Sequence, residues 1–207
     1  MEVLYNDEEK LALVVVHEIY GVNDHMHHVT DHFTSSHIDV FCPNLLQSQP
    51  AFPYSDEEKA YHFFMNHIGF EDGKKQIETF ITHLSSRYTH IGLIGFSVGA
   101  TISWLCSNNP KIDFIIGCYG SRIRDYIHMK PSCATLLIFP EKEASFSVPS
   151  FIQSLQQQKN PLLEIQQLPG EHGFLNPYTE KYNRHSTNQA YNLIESFLVK
   201  NTLIKEM

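Results

Sequence analysis

Along these 207 residues, short apolar runs alternate with longer stretches in which apolar side chains recur at helical spacing. The short runs are Leu11 to Val16, Ile38 to Cys42, Ile91 to Ile94, Phe114 to Cys118, Ala134 to Phe139 and Leu162 to Leu168. Most are apolar or β-branched throughout, the pattern of parallel strands buried on both faces. Between them, Ile77, Phe80, Ile81 and Leu84 mark one face of a helix, and Ala190, Leu193, Ile194, Phe197 and Leu198 mark another. Strands alternating with amphipathic helices predict an α/β fold with a doubly wound, mostly parallel central sheet and helices on both faces. Residues 47–70, with Pro50, Pro53 and many Tyr, Phe and His, predict a partly helical excursion over one end of the sheet. No repeat, low-complexity tract or boundary interrupts the pattern, so residues 1–207 read as a single domain.

Charge narrows the range of partners. Fifteen basic against 23 acidic residues give a formal charge of −8, and no Lys/Arg cluster is present, which excludes a polyanion partner; no nucleic acid is expected. The polar, acidic amino terminus lacks the basic and apolar regions of a secretory signal, and no run approaches a membrane span. A cytoplasmic protein with no membrane association is expected. Cys42, Cys106, Cys118 and Cys133 form no Cys-x-x-Cys pair and read as reduced, mostly buried thiols.

The chemistry gathers in turns that follow strands, where open parallel sheets bind ligands. Gly95-Phe-Ser97-Val98-Gly99 follows one apolar run and precedes a helical pattern, so a tight strand-to-helix turn would lift the Ser97 hydroxyl clear of the sheet. Gly-Glu-His172-Gly-Phe follows the last run, offering a loop-borne general base. Pro-Glu-Lys-Glu at 140–143 follows the run that ends at Phe139 and offers a carboxylate to orient the imidazole. Nucleophile, acid, histidine is the chain order of α/β-hydrolases. The amide of Val98 and one from the loop His17-Glu18-Ile19-Tyr20-Gly21 are candidate donors for an oxyanion, with Gly21 permitting a sharp exit into a helix capped by Asn23 or Asp24. Glu18, directly behind Val14–Val16, reads as functional, because a buried carboxylate without a partner is costly.

Four segments, 14–23 (VVVHEIYGVN), 39–45 (DVFCPNL), 95–100 (GFSVGA) and 171–174 (EHGF), resemble the dienelactone hydrolase family of the α/β-hydrolase superfamily. The resemblance runs from about residue 11 to the last helical pattern. It implies a compact α/β-hydrolase with little or no cap that acts on a small-molecule ester or lactone and needs no metal or organic cofactor. By position it places Ser97 at the nucleophile, Glu143 at the triad acid, His172 at the base, Ile19 and Val98 at the oxyanion amides, and Glu18 at an auxiliary buried glutamate. That glutamate helps form a thiolate in members with a cysteine nucleophile. The chain departs from the pattern in four places: Ser97 replaces cysteine, Glu143 replaces aspartate, Asn176 stands where enzymes acting on anionic dienelactones carry arginine, and the amino-terminal β extension is shortened. Glu141 and Asp125 are alternative acids.

Competing expectations remain on the residues. A catalytically degenerate binding or regulatory module would keep the fold and lose the chemistry. His25, His27, His28 and His32 invite a metal reading but lack a third ligand nearby, and a solvated helix face is expected instead. Tyr54, Tyr61, Phe63 and Phe64 either line an acyl pocket or cover the sheet, and Cys118-Tyr119-Gly120 either borders that pocket or is buried structure. Oligomeric state is not legible in the sequence.

Overall fold

The computed structural model describes residues 10–201. Six parallel strands, β1 (Leu11–Val16), β2 (Ile38–Phe41), β3 (His90–Phe96), β4 (Phe114–Cys118), β5 (Ala134–Lys142) and β6 (Leu163–Glu171), form one sheet in the order β2-β1-β3-β4-β5-β6. The order reverses between β1 and β3, so the crevice beyond their carboxyl ends is the topological switch point. Alternation along the strands divides the core. Leu11, Leu13, Val15, Ile94, Phe96, Ile116 and Ile138 face α1 (Asp24–Phe33) and α6 (Arg184–Asn201). Ala12, Val14, Val16, Leu93 and Ile115 face α2 (Glu57–His67), α3 (Gly69–Leu84) and α4 (Val98–Leu105), while Leu137 and Phe139 face α5 (Val148–Gln156). Helices thus cover both faces, and all eight residues of α4 are buried against the sheet.

The expected pattern of strands buried on both faces holds for β1 and β4, for all of β3 but His90, and for most of β5. It does not hold at the edges. β2 is mostly half-buried and β6 is largely open to solvent, because each has a neighbour on one side only. Two boundaries also differ from the expected ones, β6 being an edge strand and β5 running past the end of β4, where it has β6 alone beside it. Pro169 does not end β6, since a residue without an N–H is tolerated on an edge strand, and β6 continues to Glu171. Nor does β5 stop at Phe139; it runs on through Glu141 and Lys142, both exposed, so that only Glu143 of the predicted turn lies beyond the strand.

The excursion after β2 carries a 3₁₀ turn (Tyr54–Asp56) and α2, as expected. Phe64 is wholly buried there and Phe63 packs beside it, so these two cover the sheet, whereas Tyr61 is exposed. Helix α1 is capped by Asn23, whose side chain accepts from the Met26 amide at 3.2 Å. The histidines on α1 do not share one solvated face. His27 and His28 are exposed and His32 pairs with Glu195 at 3.1 Å, but His25 is fully buried, turned inward by the helical period with Met26 and Val29. The question of an amino-terminal β extension lies outside the described residues. No helix among the described residues is long and apolar enough to cross a membrane.

Candidate active site

The turn between β3 and α4 is built from contacts only glycine permits. A Cβ at Gly99 would sit 2.0 Å from the Val16 carbonyl oxygen, and one at Gly95 would sit 2.3 Å from the Gly99 carbonyl oxygen. These close approaches press β3 and α4 together and against the end of β1. Ser97 is left at the tip with φ 54° and ψ −115°, a strained conformation for a residue with a Cβ. Its amide is tied to the Cys118 carbonyl at 3.0 Å, which fixes the tip to the end of β4.

The Ser97 hydroxyl donates to His172 Nε2 at 2.9 Å, and His172 Nδ1 donates to Glu143 Oε1 at 2.7 Å. Those two bonds select the tautomer. A carboxylate accepts only, so the ring proton is on Nδ1 and the Nε2 lone pair faces the serine. The Glu143 side chain is 5% exposed and that of His172 31%. Of the three candidate acids, then, Glu143 is the one brought to the histidine. Asp125 is exposed and paired with Arg122 at 2.8 Å, and Glu141 points into solvent from β5.

A register shift puts Glu143 beside His172. From Thr135↔Leu163 to Pro140↔Leu168 the strands pair without interruption, but the next pair is Lys142↔Glu171, so β6 carries one residue more than β5 between them. Gly170, at φ +131°, takes up that extra residue. Without it, Glu171 would stand opposite Glu143; with it, the residues that follow the last pair are Glu143 and His172. Gly173, at φ +88°, then turns the chain away, and the Phe174 amide donates to the Glu171 carbonyl at 3.0 Å.

Ser97 and His172 open into a cavity of about 320 Å³ whose lining includes Glu18, Ile19, Val98, Tyr61 and Asn176. Val98 is the first residue of α4, so its amide has no intrahelical acceptor, and neither it nor the Ile19 amide has an acceptor among the described residues. Both stand where donors for a developing oxyanion are expected. Asn176 is buried and occupied: its Nδ2 donates to the Tyr54 hydroxyl at 2.9 Å and its Oδ1 accepts from the Tyr178 amide at 3.0 Å. Tyr54 therefore braces the loop that carries His172 instead of lining the cavity. Its ring lies edge-on to Tyr20 at 4.9 Å.

Beneath the cavity lies a buried polar cluster. Glu18, 4% exposed, accepts from the Tyr119 hydroxyl at 3.0 Å, and its other oxygen lies 3.5 Å from His25 Nδ1. Burial works to raise the Glu18 carboxyl, but His25 and the Tyr119 hydroxyl outweigh it and hold the group below its ordinary range. Burial, with the Glu18 charge beside it, pushes the Tyr119 phenol well above its ordinary value. Tyr119, at φ 43°, also sets its ring 5.1 Å from that of His172. Of the segment 118–120, Cys118 is a buried thiol, while Tyr119 supports the site from below. The sequence marked the 118–120 segment and the histidine cluster, but not the pairing of Tyr119 and His25 with Glu18, since the partner of each is distant in the chain or on another element.

Fold and site together define an α/β-hydrolase: a parallel sheet with a serine-bearing strand-to-helix elbow at its switch point and a carboxylate and a histidine just past the last two strands. The dienelactone hydrolase family model matches residues 3–202, and the chain belongs to that family. It is 41% identical over 175 residues to the uncharacterized protein YczH of Bacillus subtilis (strain 168), a match covering 84% of this chain and 86% of that protein. It is 24% identical over 166 residues to the carboxymethylenebutenolidase of Pseudomonas putida, covering 74% of this chain and 70% of the enzyme. Among solved structures, a candidate dienelactone hydrolase from Klebsiella pneumoniae subsp. pneumoniae MGH 78578 superposes with a TM-score of 0.81 at 17% identity, covering 95% of this chain and 90% of that one.

Proposed function

We propose that the chain is a serine hydrolase that cleaves a small carboxylic ester or lactone through an acyl-enzyme on Ser97. The observation that carries this reading is the continuous relay from the Ser97 hydroxyl to His172 Nε2 and from His172 Nδ1 to Glu143. Ser97 Oγ attacks the carbonyl carbon while Nε2 takes its proton, and Glu143 stabilises the imidazolium that forms. The Ile19 and Val98 amides hold the oxyanion. Collapse of the tetrahedral intermediate expels the alcohol or enol oxygen, which receives the proton from Nε2. Water, deprotonated by the same nitrogen, then attacks the acyl-enzyme; the bond to Ser97 Oγ breaks, Nε2 returns the proton to that oxygen, and the acid is freed. Each proton and electron pair in this sequence is handled by side chains and amides, so the reaction calls for no metal or organic cofactor.

Two features bear on the substrate. A cavity of about 320 Å³ stands at the small end of ligand pockets, in keeping with a small acyl group. The Pseudomonas putida relative is by name a butenolidase, which supports a lactone or enol ester as the substrate class. At the position where enzymes acting on anionic dienelactones carry arginine, the Asn176 amide is engaged by Tyr54 and Tyr178 and supplies no positive charge, while Arg122, Arg124 and Lys181 stand elsewhere in the cavity lining.

The test is intact-mass analysis after treatment with a small fluorophosphonate, on the wild type, Ser97→Ala and His172→Ala. One adduct on the wild type, absent from both variants, is the expected result. A folded wild type that takes up no adduct and hydrolyses no small ester would overturn the proposal.

A further inference from the structure

The residue before the buried glutamate has no part in the relay, yet its ring is among the most tightly held in the molecule. His17 is fully buried at the end of β1. The Leu45 amide donates to its Nε2 at 2.9 Å, so Nε2 carries no proton and the neutral ring must bear its hydrogen on Nδ1. That Nδ1–H donates to the Glu18 carbonyl oxygen at 2.6 Å. The Gly21 amide donates to the same carbonyl at 3.3 Å. Burial lowers the His17 pKa, in keeping with a ring that stays neutral.

The Glu18 carbonyl and the Ile19 N–H belong to one peptide unit. A trans peptide is planar, with its C=O and N–H pointing in opposite directions, and no cis bond occurs among the described residues. Whatever grips the Glu18 oxygen therefore aims the Ile19 N–H the other way. Ile19 lines the cavity with Ser97, and its amide has no acceptor among the described residues. The far side of the loop is pinned as well, where the Phe52 amide donates to the Tyr20 carbonyl at 2.8 Å.

We propose that His17 is a positioning residue for the oxyanion hole: anchored by the Leu45 amide, its Nδ1–H holds the Glu18–Ile19 peptide so that the Ile19 amide faces the developing oxyanion. This rests on the serine-hydrolase reading above. A donor aimed in advance acts on charge that appears only in the transition state, so its loss lowers kcat and leaves KM nearly unchanged.

Two substitutions divide the ring into its halves. His17→Gln places an acceptor where Nε2 stands, preserving the Leu45 anchor, but no donor where Nδ1 stands. His17→Asn keeps a donor near the Nδ1 position and leaves the Leu45 amide without its acceptor. Hydrolysis of p-nitrophenyl acetate gives kcat and KM, and thermal melting reports folding. His17→Gln is expected to melt close to the wild type and to lose about 10- to 100-fold in kcat, with KM within about twofold, since removing one oxyanion donor costs about 10²- to 10³-fold. His17→Asn is expected to melt lower, yet to turn over faster than His17→Gln. A purely structural role predicts the reverse ranking in kcat, and that ranking would overturn the proposal. So would a His17→Gln variant with wild-type kcat, or the failure of both variants to fold. If Ser97→Ala abolishes hydrolysis while His17→Gln keeps full kcat, the His17 role alone falls. If the wild type neither hydrolyses the ester nor takes up fluorophosphonate, the serine reading falls and takes this one with it.

Discussion

Glu143→Gln keeps the size of the side chain and removes its charge, and so tests the acid of the relay. At rest the carboxylate accepts from Nδ1 at 2.7 Å; during attack it faces an imidazolium. Taking the imidazolium charge as centred about 4 Å from the carboxylate, an effective dielectric of about 20 gives an attraction of about 4 kcal/mol. The His172 side chain is 31% exposed, and solvent reduces that to about 3 kcal/mol. A barrier raised by about 3–4 kcal/mol is a ~10²- to 10³-fold loss in kcat. The new amide can also donate to Nδ1, which puts the ring proton on Nε2 and turns an N–H toward Ser97 in place of a lone pair; the loss is then at the upper end. The assay is kcat for a small p-nitrophenyl ester, with Glu141→Gln and Asp125→Asn as controls expected within about twofold of wild type, as for exposed carboxylates that do not bond to His172. In a Ser97→Ala background, Glu143→Gln should add almost nothing, because residues that act as a unit are not additive. A Glu143→Gln enzyme within threefold of wild type, or an Asp125→Asn enzyme slower than it, would refute the assignment of the acid.

Ser97→Gly should abolish activity and relieve the backbone strain at φ 54°; set against the extra chain entropy of glycine, the expected gain is about 1 kcal/mol, or about 2–4 °C in Tm. A melting temperature below that of the wild type would contradict it. Gly99→Ala puts a methyl 2.0 Å from the Val16 carbonyl oxygen, and scanning calorimetry should show a loss above about 4 kcal/mol or no folded protein; a Tm within 2 °C of wild type would contradict the packing described. Glu18 is held below its ordinary value of 4.5, so its stabilising contribution is complete above that pH and is lost as pH falls through the lower folded value. Denaturant titrations from pH 6 downward should therefore show Glu18→Gln losing less stability on acidification than the wild type, and equal slopes would count against an ionised Glu18.

What the sequence made legible follows from how each feature is encoded. β1, β3 and β4 are interior strands with apolar side chains on both faces, and a run such as Leu11–Val16 has no other ready reading. The ends of β5 and β6 were hidden because Pro169 sits in an edge strand and Glu141 and Lys142 sit where β5 has run past β4, although the composition of both segments reads as turn. Ser97, His172 and Glu143 were legible as candidates because each sits in a turn after an apolar run, but three carboxylates competed for the last place. Only pairing between strands brings one of them, Glu143, to His172. His25 was misread because helical period alone does not say which face of α1 meets the sheet. Tyr119 was obscured by Cys118 beside it, and its hydroxyl finds Glu18 from 101 residues away.

The placement of the site follows from two properties of the sheet. At the switch point, β1 and β3 are neighbours whose following chains leave to different elements, so the loop bearing Ile19 and the elbow bearing Ser97 meet at one crevice. The Ile19 and Val98 amides and the Ser97 hydroxyl are thereby delivered to one place by a single pairing, Val16↔Gly95, and by the contact of Gly99 on the Val16 carbonyl. Glu143 and His172 come from the other half of the sheet, where β5 and β6 end side by side. Side-by-side ends are not sufficient, because uninterrupted pairing would set Glu171 against Glu143, and two like charges would repel at that position. The extra residue at Gly170 replaces that repulsion with the Glu143–His172 bond. It also accounts for Gly170 itself: at φ +131°, and with a Cβ that would meet Phe174 at 2.9 Å, the position admits no other residue without strain. The same glycine thus decides which residue past the end of β6 stands beside Glu143.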